Sequence, residues 1–227
     1  GSITSQVSAN QTAGFSIVSY TGNGNTNQTV GHGLNKKPSL VIYKDRDSTS
    51  EWRVIPIFMN DGYYLSLSTT TARITSSTSY FGTNSSSVLG ITGSNSGIIN
   101  ANTKKIIAYC FAEIEGFSKF GSYAGNGDAD GPFVYCGFKP AFILTKRTDS
   151  STNGNWTLFD SSRSSTNPVG THLRADTNND ELNFGTGIDI LSNGFKIREA
   201  ASALNNGSGT YIFAAFAESP FQTANAK

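Results

Sequence analysis

The chain predicts an all-β fold, two tandem homologous antiparallel β-sandwich units of jelly-roll type, and three observations carry that expectation. The first is composition: charged residues make up only 15%, and 24 glycines, 15 phenylalanines and 9 tyrosines sit in a background of Ser, Thr and Asn. β-Branched and aromatic side chains fit a pleated surface, and Gly and Asn supply turns with positive φ. The second is an internal repeat, and the third is a succession of short apolar or alternating runs separated by turn residues.

The repeat has four matched blocks in the same order, at an offset of about 102 to 105 residues, the signature of a duplicated structural unit. GFSIVSYTGNG from Gly14 returns as GFSKFGSYAGNG from Gly116, matching Phe15 with Phe117 and Tyr20 with Tyr123. GLNKKPSLVIYKDRD from Gly33 returns as GFKPAFILTKRTD from Gly137, pairing Pro38 with Pro140 and Lys44 with Lys146. Trp52 pairs with Trp156, and KKIIAYCFAE, ending at Glu113, returns as GTYIFAAFAE, ending at Glu218. The second copy opens directly after FAEIE, so the units are expected to span residues 1–115 and 116–227. With no Gly/Ser or Pro spacer between them, they are expected to pack with restricted motion.

In the first unit the strands are expected at Phe15 to Tyr20, Gln28 to Gly31, Ser39 to Asp45, Trp52 to Phe58, Tyr63 to Ser68, Ala72 to Ser77, Ser87 to Ile91 and Lys105 to Glu113. The second offers Phe120 to Tyr123, Gly131 to Cys136, Ala141 to Lys146, Trp156 to Asp160, His172 to Ala175, Glu181 to Thr186, Gly194 to Arg198 and Tyr211 to Glu218. Such spacing suits an antiparallel sandwich, whose edge strands must be covered or charged and could drive oligomerisation.

The net charge is +1 and the 17 basic residues are scattered, which argues against nucleic acid as a partner. No apolar run approaches the roughly 20 residues needed to cross a bilayer, and the polar N-terminus lacks a signal-peptide shape, so a soluble protein without membrane insertion is expected. Gly1 and Ser2 read as a leftover of recombinant expression. The two cysteines, Cys110 and Cys136, make no disulfide framework; Cys110 alternates with Ala108 and Ala112 on one strand face, the pattern of a small buried side chain.

No catalytic constellation emerges. His32 and His172 lie in different copies without a second histidine or a cysteine at metal-ligand spacing, and both read as structural or exposed. No G-x-S-x-G elbow occurs, and the carboxylate pairs Asp45/Asp47, Glu113/Glu115 and Asp180/Glu181 read as solvated, because strand neighbours point to opposite faces. The loop N-G-D-A-D-G alternates oxygen ligands as the start of a calcium loop does. Asn126, Asp128 and Asp130 are therefore candidate ligands for calcium, the one cofactor considered, against the alternative of an Asx-rich turn. The twelfth position is Gly137, not an acid, and the matched loop from Asn23 to Asn27 carries no carboxylate. For ligand binding the candidates are Trp52 and Trp156, each following a Ser/Thr-rich loop, with Asp160 and Arg163 behind the second. The alternative is a core or sheet-edge role for both rings.

The string SQVSANQTAGFSIVSYTGNG, the block FAEIEGFSKFGSYAGNGDADGPFVYCGFKPAFILTKRTDS, the run FDSSRSSTNPVGTHLRAD and the ending IDILSNGFKIR…GTYIFAAFAESPF resemble the tandem-repeat domain of structural proteins of marine tailed bacteriophages. The resemblance runs from Ser5 to Phe221 and attaches no catalytic or binding residues to these motifs. It implies a virion location in a tail fibre, a tail-associated protein or a capsid-surface fibre. The expectation is a non-enzymatic adhesion module, homo-oligomeric as a trimer would be, that touches a host surface glycan or outer-membrane receptor and other virion proteins. A capsid-decoration or fibre-spacer role is the alternative, and a polysaccharide depolymerase a third.

Overall fold

A computed structural model describes residues 1–59, 62–75, 82–93 and 98–218. The chain is all-β with antiparallel sheets, and it divides into two compact units: residues 1–67 with 74–113, and residues 68–73 with the chain from Ile114 onward.

Unit 1 contains β1 (Ser5–Asn10), β2 (Phe15–Thr21), β3 (Gln28–Gly31), β4 (Leu40–Asp45), β5 (Arg53–Pro56), a 3-10 turn (Ile57–Met59), β6 (Tyr63–Ser66), β7 (Ile74–Thr75), β8 (Val88–Ile91) and β9 (Lys105–Phe111). Apolar and polar residues alternate along β2 and β9, so every second side chain of each enters the core. Val18, Val41, Ile106 and Ala108 are fully buried there. Each buried valine or isoleucine contributes roughly 1.5–3 kcal/mol relative to exposure. The main sheet runs β1-β2-β9-β4-β5-β6-β7, and β3 pairs with β8.

Unit 2 contains β10 (Ser118–Ala124), β11 (Phe133–Tyr135), β12 (Phe142–Arg147), β13 (Trp156–Asp160), β14 (Val169–Arg174), β15 (Leu182–Leu191), β16 (Gly194–Ile197), a helical turn α1 (Ser202–Asn205) and β17 (Thr210–Phe216). Its order is β10-β17-β12-β13-β14-β15-β16-β11. Replacing each strand by its counterpart in the repeat gives β2-β9-β4-β5-β6-β7 followed by β8-β3, so the two units share one strand order.

Where two separate facing sheets were expected, unit 2 has a single hydrogen-bonded sheet folded back on itself. Strand β14 makes the corner: Val169, Thr171 and His172 pair with β15 across an irregular register, and Leu173 and Leu158 pair across to β13. Tyr123 of the edge strand β10 stacks on Tyr211 at 4.9 Å and meets Phe195 of β16 edge-on at 6.4 Å, which brings opposite ends of the sheet together over one core.

Three details depart from the sequence reading. β1 was not anticipated, because SQVSAN carries one large apolar residue; it forms through its pairing with β2. The run from Trp52 to Phe58 ends as a strand at Pro56 and turns into the 3-10 segment. Residues 68–73, placed in the first copy, belong to unit 2: Lys146 Nζ donates to Thr70 O at 2.9 Å, Ala72 N to Ser151 Oγ at 3.1 Å and Arg73 N to Thr148 O at 2.8 Å. Ser76 and Ser77 of the expected Ala72 to Ser77 strand lie outside the described residues.

Candidate functional site

The loop read as a calcium site is assembled by side chains of its own unit. Asn126 Oδ1 accepts from Asp128 N at 3.0 Å, and Asp128 Oδ1 accepts from Asp130 N at 2.8 Å, two successive Asx turns. The fully buried Asn205 grips them from below: its Oδ1 accepts from Asn126 N at 2.8 Å, while its Nδ2 donates to Asn126 Oδ1 at 2.8 Å and Asp128 O at 2.6 Å. Asp130 turns instead to the Lys196 ammonium at 2.9 Å, whose hydrogen bond and charge hold the carboxyl below its usual range. Lys196 also donates to Gly131 O at 2.7 Å. The oxygens expected to converge on a cation are thus directed at N–H donors and an ammonium. Among the described residues no group of three or more His, Cys, Asp or Glu side chains is placed to hold a metal.

The first copy repeats this clasp without a carboxylate. Asn100, also fully buried, accepts from Asn23 N at 3.0 Å and donates to Asn23 Oδ1 at 3.3 Å and Asn25 O at 3.0 Å. Further matched bonds follow. Tyr20 Oη donates to Ile99 O at 2.5 Å, as Tyr123 Oη does to Leu204 O at 3.0 Å. Asp47 Oδ2 accepts from Lys105 N at 2.8 Å, as Asp149 Oδ1 does from Thr210 N at 2.8 Å. Asp45, expected to be solvated, is 5% exposed and accepts from Asp47 N and Ser48 Oγ, both at 2.8 Å. The acids of these loops are structural.

The two tryptophans differ. Trp156 is 2% exposed, its backbone N–H donates to Asp176 Oδ1 at 3.2 Å, and the buried Lys146 ammonium lies 6.0 Å from its ring centroid, so it offers no face to a ligand. Trp52 is 37% exposed and stacks on Tyr109 at 6.1 Å, a geometry that fixes a presented ring. Asp160 and Arg163 are committed to each other: Arg163 N donates to Asp160 Oδ1 at 2.7 Å, Nε to Oδ2 at 3.1 Å, and the guanidinium closes on Glu181. Of the two tryptophan rings, Trp52 is the one presented at the surface, and the Asp160–Arg163 pair lies at the surface of unit 2.

Both histidines are interior. His32 is fully buried; its Nε2 donates to Ser85 O at 3.2 Å and its Nδ1 accepts from Leu34 N at 3.3 Å. His172 stacks on Phe184 at 4.0 Å. Burial pushes both imidazole pKa values down. Cys110 and Cys136 are free and buried, and burial raises the Cys110 thiol to about 12.

The strongest surface feature lies elsewhere. Phe133 and Tyr135 of β11 are 45% and 63% exposed, the most exposed large apolar side chains described. Val134 between them enters the core, so alternation throws both rings outward. Each ring lies over a glycine: a β-carbon at Gly194 would meet Phe133 Cζ at 3.1 Å, and one at Gly137 would meet the Tyr135 hydroxyl at 3.6 Å. Register sets Phe133 beside Lys196 and Asp189, and Arg198 Nε reaches Asp189 at 3.5 Å, so charged pairs flank the rings. The signal was present as F-V-Y alternation in GPFVYCG, but the edge position of the strand was not.

The chain is thus a duplicated all-β unit with exposed aromatics on the terminal strand β11 of unit 2. Residues 1–220 match a family model described as a domain of unknown function, DUF7483, and the chain belongs to that family. No curated protein and no solved structure matches the chain. No helix among the described residues is long and apolar enough to cross a membrane.

Proposed function

We propose that the chain is a non-enzymatic recognition module of a bacteriophage virion, of the tail-fibre or surface-adhesion type, that contacts a host surface receptor. The observation that carries this reading is the set of exposed aromatic side chains held on strands: Phe133 and Tyr135 on β11, and Trp52 stacked on Tyr109. Rigid rings at a surface lose little conformational entropy on binding and offer large contact areas to sugar rings or protein. The virion location rests on the resemblance of the repeated motifs to marine tailed-phage structural proteins. A homo-oligomeric fibre, a trimer for instance, would multiply weak contacts through linkage.

The second reading is capsid decoration or fibre spacing, in which the same rings meet virion protein alone. The test is binding of the labelled chain to intact marine bacterial cells, to a glycan array and to purified virion protein. Saturable binding to cells or glycans supports recognition; binding confined to virion protein replaces it with assembly. Release of reducing ends from host polysaccharide would establish the depolymerase alternative instead.

A further inference from the structure

Strand β13 ends at Asp160, and the loop that follows it, SSRSSTN from Ser161 to Asn167, is pinned at both ends. Arg163 N donates to Asp160 Oδ1 at 2.7 Å and Arg163 Nε to Oδ2 at 3.1 Å, and the same guanidinium closes on Glu181. At the far end Asn167 clasps the backbone of β15: its Oδ1 accepts from Ile190 N and its Nδ2 donates to Ile190 O, each at 2.9 Å. The carboxylates beside the loop are thereby spent on Arg163, and the loop is held without its serine hydroxyls.

Those hydroxyls line a cavity. Ser161, Ser164 and Ser165, together with Lys139 from the segment between β11 and β12, border a hollow of about 70 Å³ whose apolar part is the buried Val169 and Ile190. Among the described residues neither the Lys139 ammonium nor any of the three hydroxyls has a hydrogen-bond or ion-pair partner. No carboxylate lines the hollow. An ammonium and three O–H donors on a fixed loop suit a group rich in acceptor oxygens and negative in charge, because charge-assisted hydrogen bonds to such a group are the strong ones.

Unit 1 is the internal comparator. Lys139 and Ser161 also border a larger hollow of about 390 Å³, and its counterpart in unit 1 measures about 270 Å³. Ser161 N donates to Ala141 O at 2.9 Å as Phe58 N does to Ser39 O at 3.4 Å, so Phe58 stands where unit 2 has Ser161. Unit 1 keeps the lysine and the proline, as Lys37 and Pro38, but lines its hollow with Ile57 and Phe58. The lysine is thus common to both units, and the hydroxyls belong to unit 2.

We propose that the smaller hollow of unit 2 binds an oxyanion, a sulfate or phosphate group seated between the Lys139 ammonium and the hydroxyls of Ser161, Ser164 and Ser165. The group arrives either as the free inorganic anion or as an ester on a saccharide; both present the same acceptor oxygens. The site lies apart from β11 and does not depend on recognition there.

The probe is inorganic sulfate, titrated into the nitrogen-15-labelled chain at constant ionic strength against sodium chloride. The backbone amide signals of Ser164 and Ser165 should shift saturably. Lys139→Gln, and separately Ser164→Ala/Ser165→Ala, should weaken the binding about tenfold, the loss expected when a charge-assisted contact is removed, whereas Lys37→Gln should leave it unchanged. A sulfated galactan oligosaccharide that binds more tightly than inorganic sulfate, and loses that gain on desulfation, assigns the hollow to an ester; equal affinity assigns it to the free anion. Absence of a saturable shift with both sulfate and phosphate would overturn the proposal, as would undiminished affinity in a Lys139→Gln chain shown folded by circular dichroism. The titration uses no cells, so its failure leaves recognition at β11 standing, and loss of cell binding in a β11 variant leaves the titration as it was.

Discussion

Asn100 and Asn205 carry more of the structure than the residues that surround them suggest. Each is a fully buried amide whose oxygen and nitrogen are both satisfied by a loop 75 to 79 positions away in sequence. Asn205→Ala leaves Asn126 N without its acceptor and is expected to lower stability by about 1–3 kcal/mol, read as a fall in the denaturant midpoint; Asn100→Ala should do the same to unit 1. Nothing in the sequence singles out these two asparagines, whereas the acidic loop above Asn205 follows a metal-motif pattern. Alternating Asn and Asp serve Asx turns and cation ligation equally well, and in this structure Asn205 and Lys196 engage the loop's oxygens. Lys146 gives a second test at this scale. Burial lowers its ammonium to about 8, opposed by the nearby Asp176 carboxylate. Between that value and the ordinary lysine pKa this group binds more protons in the unfolded chain than in the folded one, so its contribution to the unfolding free energy rises with pH. From pH 8 to 10 the wild-type chain should gain about 2 kcal/mol relative to Lys146→Met in equilibrium unfolding, while the Cys110 thiol, which only the unfolded chain ionises in this range, lowers the stability of both alike. Above pH 10 the buried phenols of Tyr20, Tyr43 and Tyr123, raised mainly by burial, should add to that common loss, because only the unfolded chain ionises them readily.

At the scale of elements, legibility followed local pattern. β3 and β13 occupy the expected Gln28–Gly31 and Trp156–Asp160, and β2 and β9 begin where their alternation begins. Strands whose definition is tertiary were the ones missed: β1 has no apolar stripe of its own, and β14 starts at Val169, before the expected His172, because it turns the corner between β15 and β13. The contribution of β1 is measurable. Deleting residues 1–10 removes the partner of Ile17 and Ser19 and uncovers the β3 edge, so amide hydrogen exchange at those two residues should rise toward that of an open edge, while β10 and β17 keep their protection. Unchanged protection at Ile17 and Ser19 would mean that β1 adds nothing to unit 1.

For the whole molecule, duplication was legible from matched blocks and reappears as one strand order and one set of long-range bonds in both units. Function was far less so, because the proposed recognition rests on what the repeat does not share: Trp52 exposed where Trp156 is buried, and Phe133 and Tyr135 where unit 1 has Thr29 and Gly31. A sequence comparison rewards likeness, and these positions are unlike. The direct test compares host-cell binding of the wild-type chain with that of a Phe133→Ala/Tyr135→Ala variant whose circular dichroism spectrum is unchanged. Recognition at β11 predicts a loss of about tenfold or more in affinity, since exposed aromatic anchors dominate such contacts; equal binding by the two chains would contradict it.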